Sequence, residues 1–239
     1  MYRLEKIRER EKKSHIDAYT THALYQDGSW LKKPVKTVLE LLPCFDGYRR
    51  LRVLDLGCGV GRNCIAIAQY FSSIACRIDC VDILELAIEK LNRNASEYGV
   101  GDSIHGIVSP LEEVPICPDT YDLILAVSAL EHVDSESSFS RLLTEIRDGM
   151  RENGIFCLIV NSEVREFDKQ TGRQMPAQFV LNLPGEEFQK KLNDIFGGWT
   201  VLKSNSRAQR YDIPRESAVH DLHTQVVTFV AKKSLSNEA

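Results

Sequence analysis

No uninterrupted apolar run in this 239-residue chain approaches the ~20 residues that a helix needs to span a bilayer, so no membrane role is expected. No cysteine pair has the Cys-x-x-Cys spacing of a metal or redox site. The seven cysteines are scattered, and Cys58, Cys64, Cys80 and Cys157 sit inside apolar runs. That pattern reads as reduced thiols used as small buried side chains, with a cytoplasmic location as the corresponding expectation. A basic excess is missing too: 30 Lys and Arg stand against 34 Asp and Glu, for a net charge of -4. This argues against a dedicated nucleic-acid binder. The opening Met-Tyr-Arg-Leu-Glu-Lys is charged from the start and lacks the apolar stretch of a secretory leader. Repeats and low-complexity tracts are absent. What is present is 43% hydrophobic and 27% charged, the balance of a globular chain long enough to bury a sizeable core as one decorated domain.

Residues 1–34 are charged and then aromatic, with Tyr19, His22, Tyr25 and Trp30, and read as a helical arm or cap. Residues 33–42 read as a helix with Val35, Val38, Leu39 and Leu42 on one face. From residue 53 short apolar runs alternate with amphipathic ones. Strands are predicted at 53–56, 76–82, 103–108, 121–127 and 155–160, and helices at 62–71, 84–98 and 136–149. Such alternation predicts a parallel sheet covered by helices on both faces. Residues 161–184 are polar, show no clear period and read as an insertion or lid. A helix at 185–196 and two strands, 199–202 extending toward Tyr211 and 224–230, close the chain. The gap between those strands suits a hairpin and not a helical crossover, so the last strand is predicted to run antiparallel.

In an open parallel sheet, ligands bind beyond the carboxyl ends of the strands. Three features fall there. The first is Asp55-x-Gly57-x-Gly59-x-Gly61, with Cys58 inside it and Arg62-Asn63 after it. Its spacing is not the Gly-x-Gly-x-x-Gly of dinucleotide folds. A carboxylate aimed at the turn repels a pyrophosphate and suits the ammonium of an amino-acid moiety, a group that S-adenosylmethionine carries. The second is Asp82, 21 positions after Gly61 at the end of the second strand and followed by Ile83, placed to accept hydrogen bonds from ribose hydroxyls. The third is Ser109-Pro110-Leu111-Glu112, whose backbone would lie beside an adenine. A glycine turn or a strand-end aspartate is weak alone; their order in one pattern is the stronger signal.

Val53-Leu54-Asp55-Leu56-Gly57-Cys58-Gly59-Val60-Gly61-Arg62-Asn63 resembles motif I of the class I S-adenosylmethionine-dependent methyltransferases. Asp82 matches their ribose-binding acid, Tyr121-Asp122-Leu123-Ile124 their fourth strand, and Asn153-Gly154-Ile155-Phe156 the turn into the fifth. The resemblance implies a Rossmann-like, seven-stranded, mostly parallel sheet with an antiparallel last strand. It also implies a domain over 35–239, S-adenosylmethionine as cofactor, and a cofactor site that takes in Val127 at the end of the fourth strand. Where many family members carry an acid and a small residue, this chain has Pro110 and Leu111, so Ser109 or the backbone near Leu111 and Glu112 must meet the adenine.

The acceptor is less defined. Ala129-Leu130-Glu131-His132-Val133 follows the fourth strand where amino-methylating relatives carry Asn/Asp-Pro-Pro-aromatic and cytosine-carbon relatives Pro-Cys. It resembles the small-molecule methyltransferases, quinone-biosynthesis types among them. Motif I and the tail Thr228–Lys233 also look like the tellurite-resistance methyltransferases. His132, with a pKa near neutrality, is the candidate general base, alongside a role in bonding the backbone after the strand. Tyr19 and His22 are candidates to cap the acceptor, as against an aromatic arm packed outside. His220 and His223 read mainly as surface residues, and Arg62 as a partner for the methionine carboxylate or a solvated first-turn residue. A nicotinamide-dependent oxidoreductase and a non-catalytic cofactor-binding module are the competing readings.

Overall fold

A computed structural model describes residues 2–177, 179–215 and 218–235. The expected chain end at residue 239 lies outside them. Eight strands form one sheet: β1 (Arg50–Leu56), β2 (Ala75–Asp82), β3 (Ile104–Val108), β4 (Tyr121–Val127), β5 (Met150–Asp168), β6 (Gln174–Met175), β7 (Thr200–Pro214) and β8 (Val219–Lys232). Their order is β3-β2-β1-β4-β5-β8-β7, with the two-residue β6 paired to β5. The five strands β3, β2, β1, β4 and β5 are mutually parallel, and β8 is antiparallel to both β5 and β7. All seven residues of β4 are buried, which explains why residues 123–127 read as an unbroken apolar run with no alternation.

The helices are α1 (Tyr2–Thr21), α2 (Lys36–Leu41), α3 (Cys64–Tyr70), α4 (Glu85–Glu97), α5 (Glu136–Gly149) and α6 (Gly185–Ile195). One core, around Val38, Ile65, Ile67, Ala87 and Leu91, packs α2, α3 and α4 on one face of the sheet. A second, around Phe139, Leu142, Leu143, Ile146, Phe188 and Leu192, packs α5 and α6 on the other. In α5 those four residues lie at i, i+3, i+4 and i+7, the apolar stripe that the sequence shows. In α2, Leu39 is 40% exposed and Leu41 takes the buried place. The helix is six residues long and tightens into a 3-10 turn at Leu42–Phe45, which rotates the buried face away from the α-helical pattern.

The stretch 161–184 opens with strand. β5 runs nine residues past its last pairing with β4, to Asp168, and β8 and β7 run beside it. At ~3.3 Å per residue, this antiparallel arm projects about 30 Å beyond the carboxyl ends of the parallel strands. Its period of two is real, but the inward positions are Ser162, Val164 and Glu166, so a hydropathy reading passes over it. Glu166 is wholly buried and held bidentately by Arg215 (2.7 and 3.0 Å), with His220 Nδ1 at 2.6 Å. Burial pushes its carboxyl up, but Arg215 and His220 outweigh that and hold it below the usual range. His220 is thus buried in the arm and not at the surface. His223 pairs with Asp221 at 2.7 Å. All seven cysteines are free, and Cys58, Cys64, Cys76, Cys80 and Cys157 are buried. Among the described residues no helix is long and apolar enough to cross a membrane.

Candidate functional site

Two glycines shape the turn after β1. Gly57 has φ +75°, and a Cβ there would stand 2.4 Å from the Cβ of Ala129. Gly59 has φ +55°, and its Cβ would stand 2.7 Å from the Tyr19 hydroxyl. A left-handed backbone with a neighbour where a side chain would go admits only glycine. The turn docks on the end of β2: the N–H groups of Gly57 and Cys58 donate to the Val81 carbonyl at 2.8 and 2.9 Å. The Gly59 N–H donates to Asp82 Oδ2, and Leu84 N–H to Asp82 Oδ1, both at 2.9 Å. Asp82 therefore builds the turn and the entry to α4 as well as facing the cavity. Each of its oxygens keeps a second lone pair. Burial raises its pKa, opposed by the Leu84 and Gly59 amides.

Asp55 is 1% exposed, and its Oδ2 has no hydrogen-bond partner among the described residues. Burial pushes its carboxyl up to about 7, with Arg62 pulling it down and Asp82 pushing it further up. A buried carboxylate oxygen left open is completed by a donor, best a cationic one. The ammonium of an amino-acid-bearing cofactor answers it, and a pyrophosphate does not.

A cavity of ≈ 280 Å³ lies between these loops and α1. Gly57, Asp82, Ile83, Leu111 and Glu112 line it from the predicted cofactor set, and Tyr19 and His132 from the predicted acceptor set. The other predicted residues lie off its wall. Cys58 and Val127 are buried in the core, and Gly61 turns the chain into α3 with its N–H on the Cys58 carbonyl. Arg62 donates to the Trp30 carbonyl (3.0 Å), and Asn63 accepts from the Val35 N–H (3.0 Å); both tie the N-terminal segment to α3. Ser109 bonds the carbonyl of Pro110 with its hydroxyl. His22 rests against Gly28, away from the cavity.

The sequence reading missed the α1 face that closes the cavity: Arg8, Glu11, Lys12 and His15 beside Tyr19. The signal was there at i, i+3, i+4 and i+7 from Arg8, but as a polar stripe where an apolar one was sought. Arg8 pairs with Glu112 at 2.8 Å, and Glu11 stands 3.0 Å from His132 Nδ1. Burial opposes charge on the half-buried His132, but Glu11, with Glu131 and Asp82, overrides this and raises it to about 9. Neighbouring His15 is lowered to about 4 by burial and by the charge of His132. At neutral pH His132 therefore already holds its proton, which sits poorly with a role as base. Ser128, also on the cavity wall, has φ +52°, a left-handed non-glycine at the end of β4 of the kind that concentrates at functional sites.

Residues 53–154 match the family model described as a methyltransferase domain. This stretch is similar to class I S-adenosylmethionine-dependent methyltransferase domains. A ubiquinone biosynthesis O-methyltransferase of Maricaulis maris is 28% identical over 122 residues, 50% of this chain and 44% of that protein. A norajmaline N-methyltransferase of Rauvolfia serpentina is 26% identical over 94 residues, 39% of this chain and 31% of that protein. The chain thus spans less than half the length of these curated relatives. The solved structure of TehB from Haemophilus influenzae shares the fold of the methyltransferase domain with a TM-score of 0.60 and 18% identity, over 84% of this chain and 62% of that one.

Proposed function

We propose that this chain transfers a methyl group from S-adenosylmethionine to a small-molecule acceptor. The observation that carries the reading is the bare, buried Oδ2 of Asp55 beside a glycine turn that opens on a cavity. When bound, S-adenosylmethionine supplies a sulfonium-activated methyl group for in-line displacement. Asp55 holds the ammonium, Asp82 the ribose, and Ile83 and Leu111 the apolar walls beside the base. The sulfonium charge disappears during transfer, so alignment of the reacting atoms is the main requirement, and alignment alone can remove several kcal/mol, up to ~7–11, of a barrier. α1 serves as the cap that excludes water. The Phe179–Leu181 segment covers the acceptor side, stacking Phe179 on His132 and donating the Leu181 N–H to the Glu131 carbonyl. The relatives named for ubiquinone biosynthesis and for norajmaline methylation support a small-molecule acceptor, through oxygen or nitrogen. The free, largely buried cysteines suit the cytoplasm.

Calorimetry with S-adenosylhomocysteine tests the donor: micromolar binding is expected, and an absence of heat overturns the proposal. Asp82→Ala should weaken that binding tenfold or more, since it removes both the cofactor contact and the anchor of the turn. Labelled transfer to phenols, amines, thiols and tellurite then tests turnover. Binding without transfer to any of these would make the chain a binding module.

A further inference from the structure

Glu131 is wholly buried, and its two oxygens have different fates. Oε1 accepts from the backbone N–H of Asn161 at 3.0 Å and from its Nδ2 at 2.8 Å, which ties the loop after β4 to β5. Oε2 has no partner among the described residues. A desolvated carboxylate oxygen left unmet is costly, and such atoms in folded proteins call for a specific reason.

Three basic side chains of this loop and the arm are paired with other carboxylates. His132 is held by Glu11. Arg215 and His220 are held by Glu166. The Leu181 N–H goes to the backbone carbonyl of Glu131 and not to its side chain. The charge of Glu131 is nevertheless felt by His132, on the cavity wall after β4, and by Tyr211 on the projecting arm. Asp55, another carboxylate with an open oxygen, responds instead to Arg62 and Asp82, and the third such oxygen among the described residues, Glu11 Oε1, faces His132 Nδ1 at 3.0 Å. Glu11 Oε1 faces the His132 ring and Asp55 Oδ2 is assigned to the donor, so Glu131 Oε2 is the open oxygen among them left without a counterpart.

We propose that Glu131 anchors the methyl acceptor, its Oε2 accepting a hydrogen bond from an O–H or N–H of that molecule. The inference rests on the methyltransferase reading and narrows it: the acceptor carries at least one such donor. Anions and acceptors whose donors are all blocked are disfavoured by the buried negative charge. Glu131→Gln keeps an oxygen for Asn161 and places an amide N–H₂ where the open oxygen stood, so the anchor is lost with little change of shape.

The test uses S-adenosylmethionine labelled in its methyl group and a cellular small-molecule extract, native or exhaustively acetylated to block O–H and N–H groups. The wild-type protein should label the native extract and lose at least tenfold of that label on the acetylated one. Glu131→Gln should lose at least tenfold on the native extract while binding S-adenosylhomocysteine within about threefold of wild type, where a charged hydrogen bond lost from the donor site would cost tenfold or more. Equal labelling by Glu131→Gln overturns the inference, as does equal labelling of the acetylated extract or a parallel loss of S-adenosylhomocysteine binding. Should Glu131→Gln not fold, Glu131→Asp, which draws the open oxygen back by one methylene, should likewise lose label on the native extract while keeping S-adenosylhomocysteine binding, and equal labelling by it overturns the inference. Wild-type protein that binds S-adenosylhomocysteine yet labels nothing overturns the anchor. Wild-type protein that binds none overturns the methyltransferase reading itself.

Discussion

The proposed donor site draws Gly57, Asp82 and Leu111 on the cavity wall, with Asp55 buried behind the turn, from the ends of three neighbouring strands, all within about sixty residues of chain. The proposed acceptor side gathers Glu11 and His15 from the cavity wall on α1, and behind them Glu131 from the loop after β4, Asn161 from β5 and Tyr211 from the far arm. The donor side is made largely of backbone: a left-handed turn, amides on Asp82 and a carbonyl at Val81. The acceptor side is made of side chains brought together by packing. Backbone geometry leaves glycines and acids at fixed spacing and so can be read in a sequence. Side-chain convergence leaves no such spacing, and it can vary while the turn stays the same.

The largest expected effect lies on the arm. Glu166→Ala strands Arg215 and His220 without their carboxylate and should cost about 3–5 kcal/mol in urea unfolding. A loss below 1 kcal/mol would mean that the arm's polar core does not hold it. Gly57→Ala attacks the donor side alone. The left-handed backbone and the contact with Ala129 together should cost about 2–4 kcal/mol and abolish S-adenosylhomocysteine binding. Retained binding would show that the turn is not the donor site.

A pH series separates the sides more finely. The raised pKa of Asp55 means that the free protein holds this proton up to about pH 7, while an ammonium needs the ionised form. Affinity for S-adenosylhomocysteine should therefore climb from pH 5.5, by up to tenfold per unit, and level off above 7. Asp55→Asn should flatten that slope, and a slope unchanged in Asp55→Asn would place the titration elsewhere. The smallest effect concerns the clasp of α1. The raised pKa of His132 stabilises the fold fully below about 6.5, and that contribution fades as pH rises through about 9. Glu11→Gln should bring the imidazole back toward its ordinary value in an NMR titration; an unmoved midpoint would assign the shift to Glu131 and Asp82.

The five parallel strands and the helices between them were legible because their apolar runs and stripes follow the two backbone periods. The spacing of Asp55, Gly57 and Asp82 marked the turn after β1 and the end of β2, which the structure docks together through Asp82 and Val81. Asn63 and Arg62, grouped with them by adjacency, instead fasten the N-terminal segment. Of the arm, the strand extending toward Tyr211 and its antiparallel partner were legible, and the extension of β5 was not, because Ser162 and Glu166 face inward through hydrogen bonds and ion pairs that hydropathy does not register. Nor was the state of His132: its near-neutral reference pKa suggested a base, but the charge that fixes it comes from Glu11, over a hundred residues earlier.

Strand β7 ends the sheet, and its fifteen residues leave one row of backbone N–H and C=O groups without a neighbouring strand. Such a border invites a foreign strand to add on. Arg207 and Arg210 stand exposed along it, with Lys203 nearer its start. Two copies laid edge to edge would bring the Arg207 and Arg210 guanidinium groups of each together, a repulsion that works against strand addition at this border.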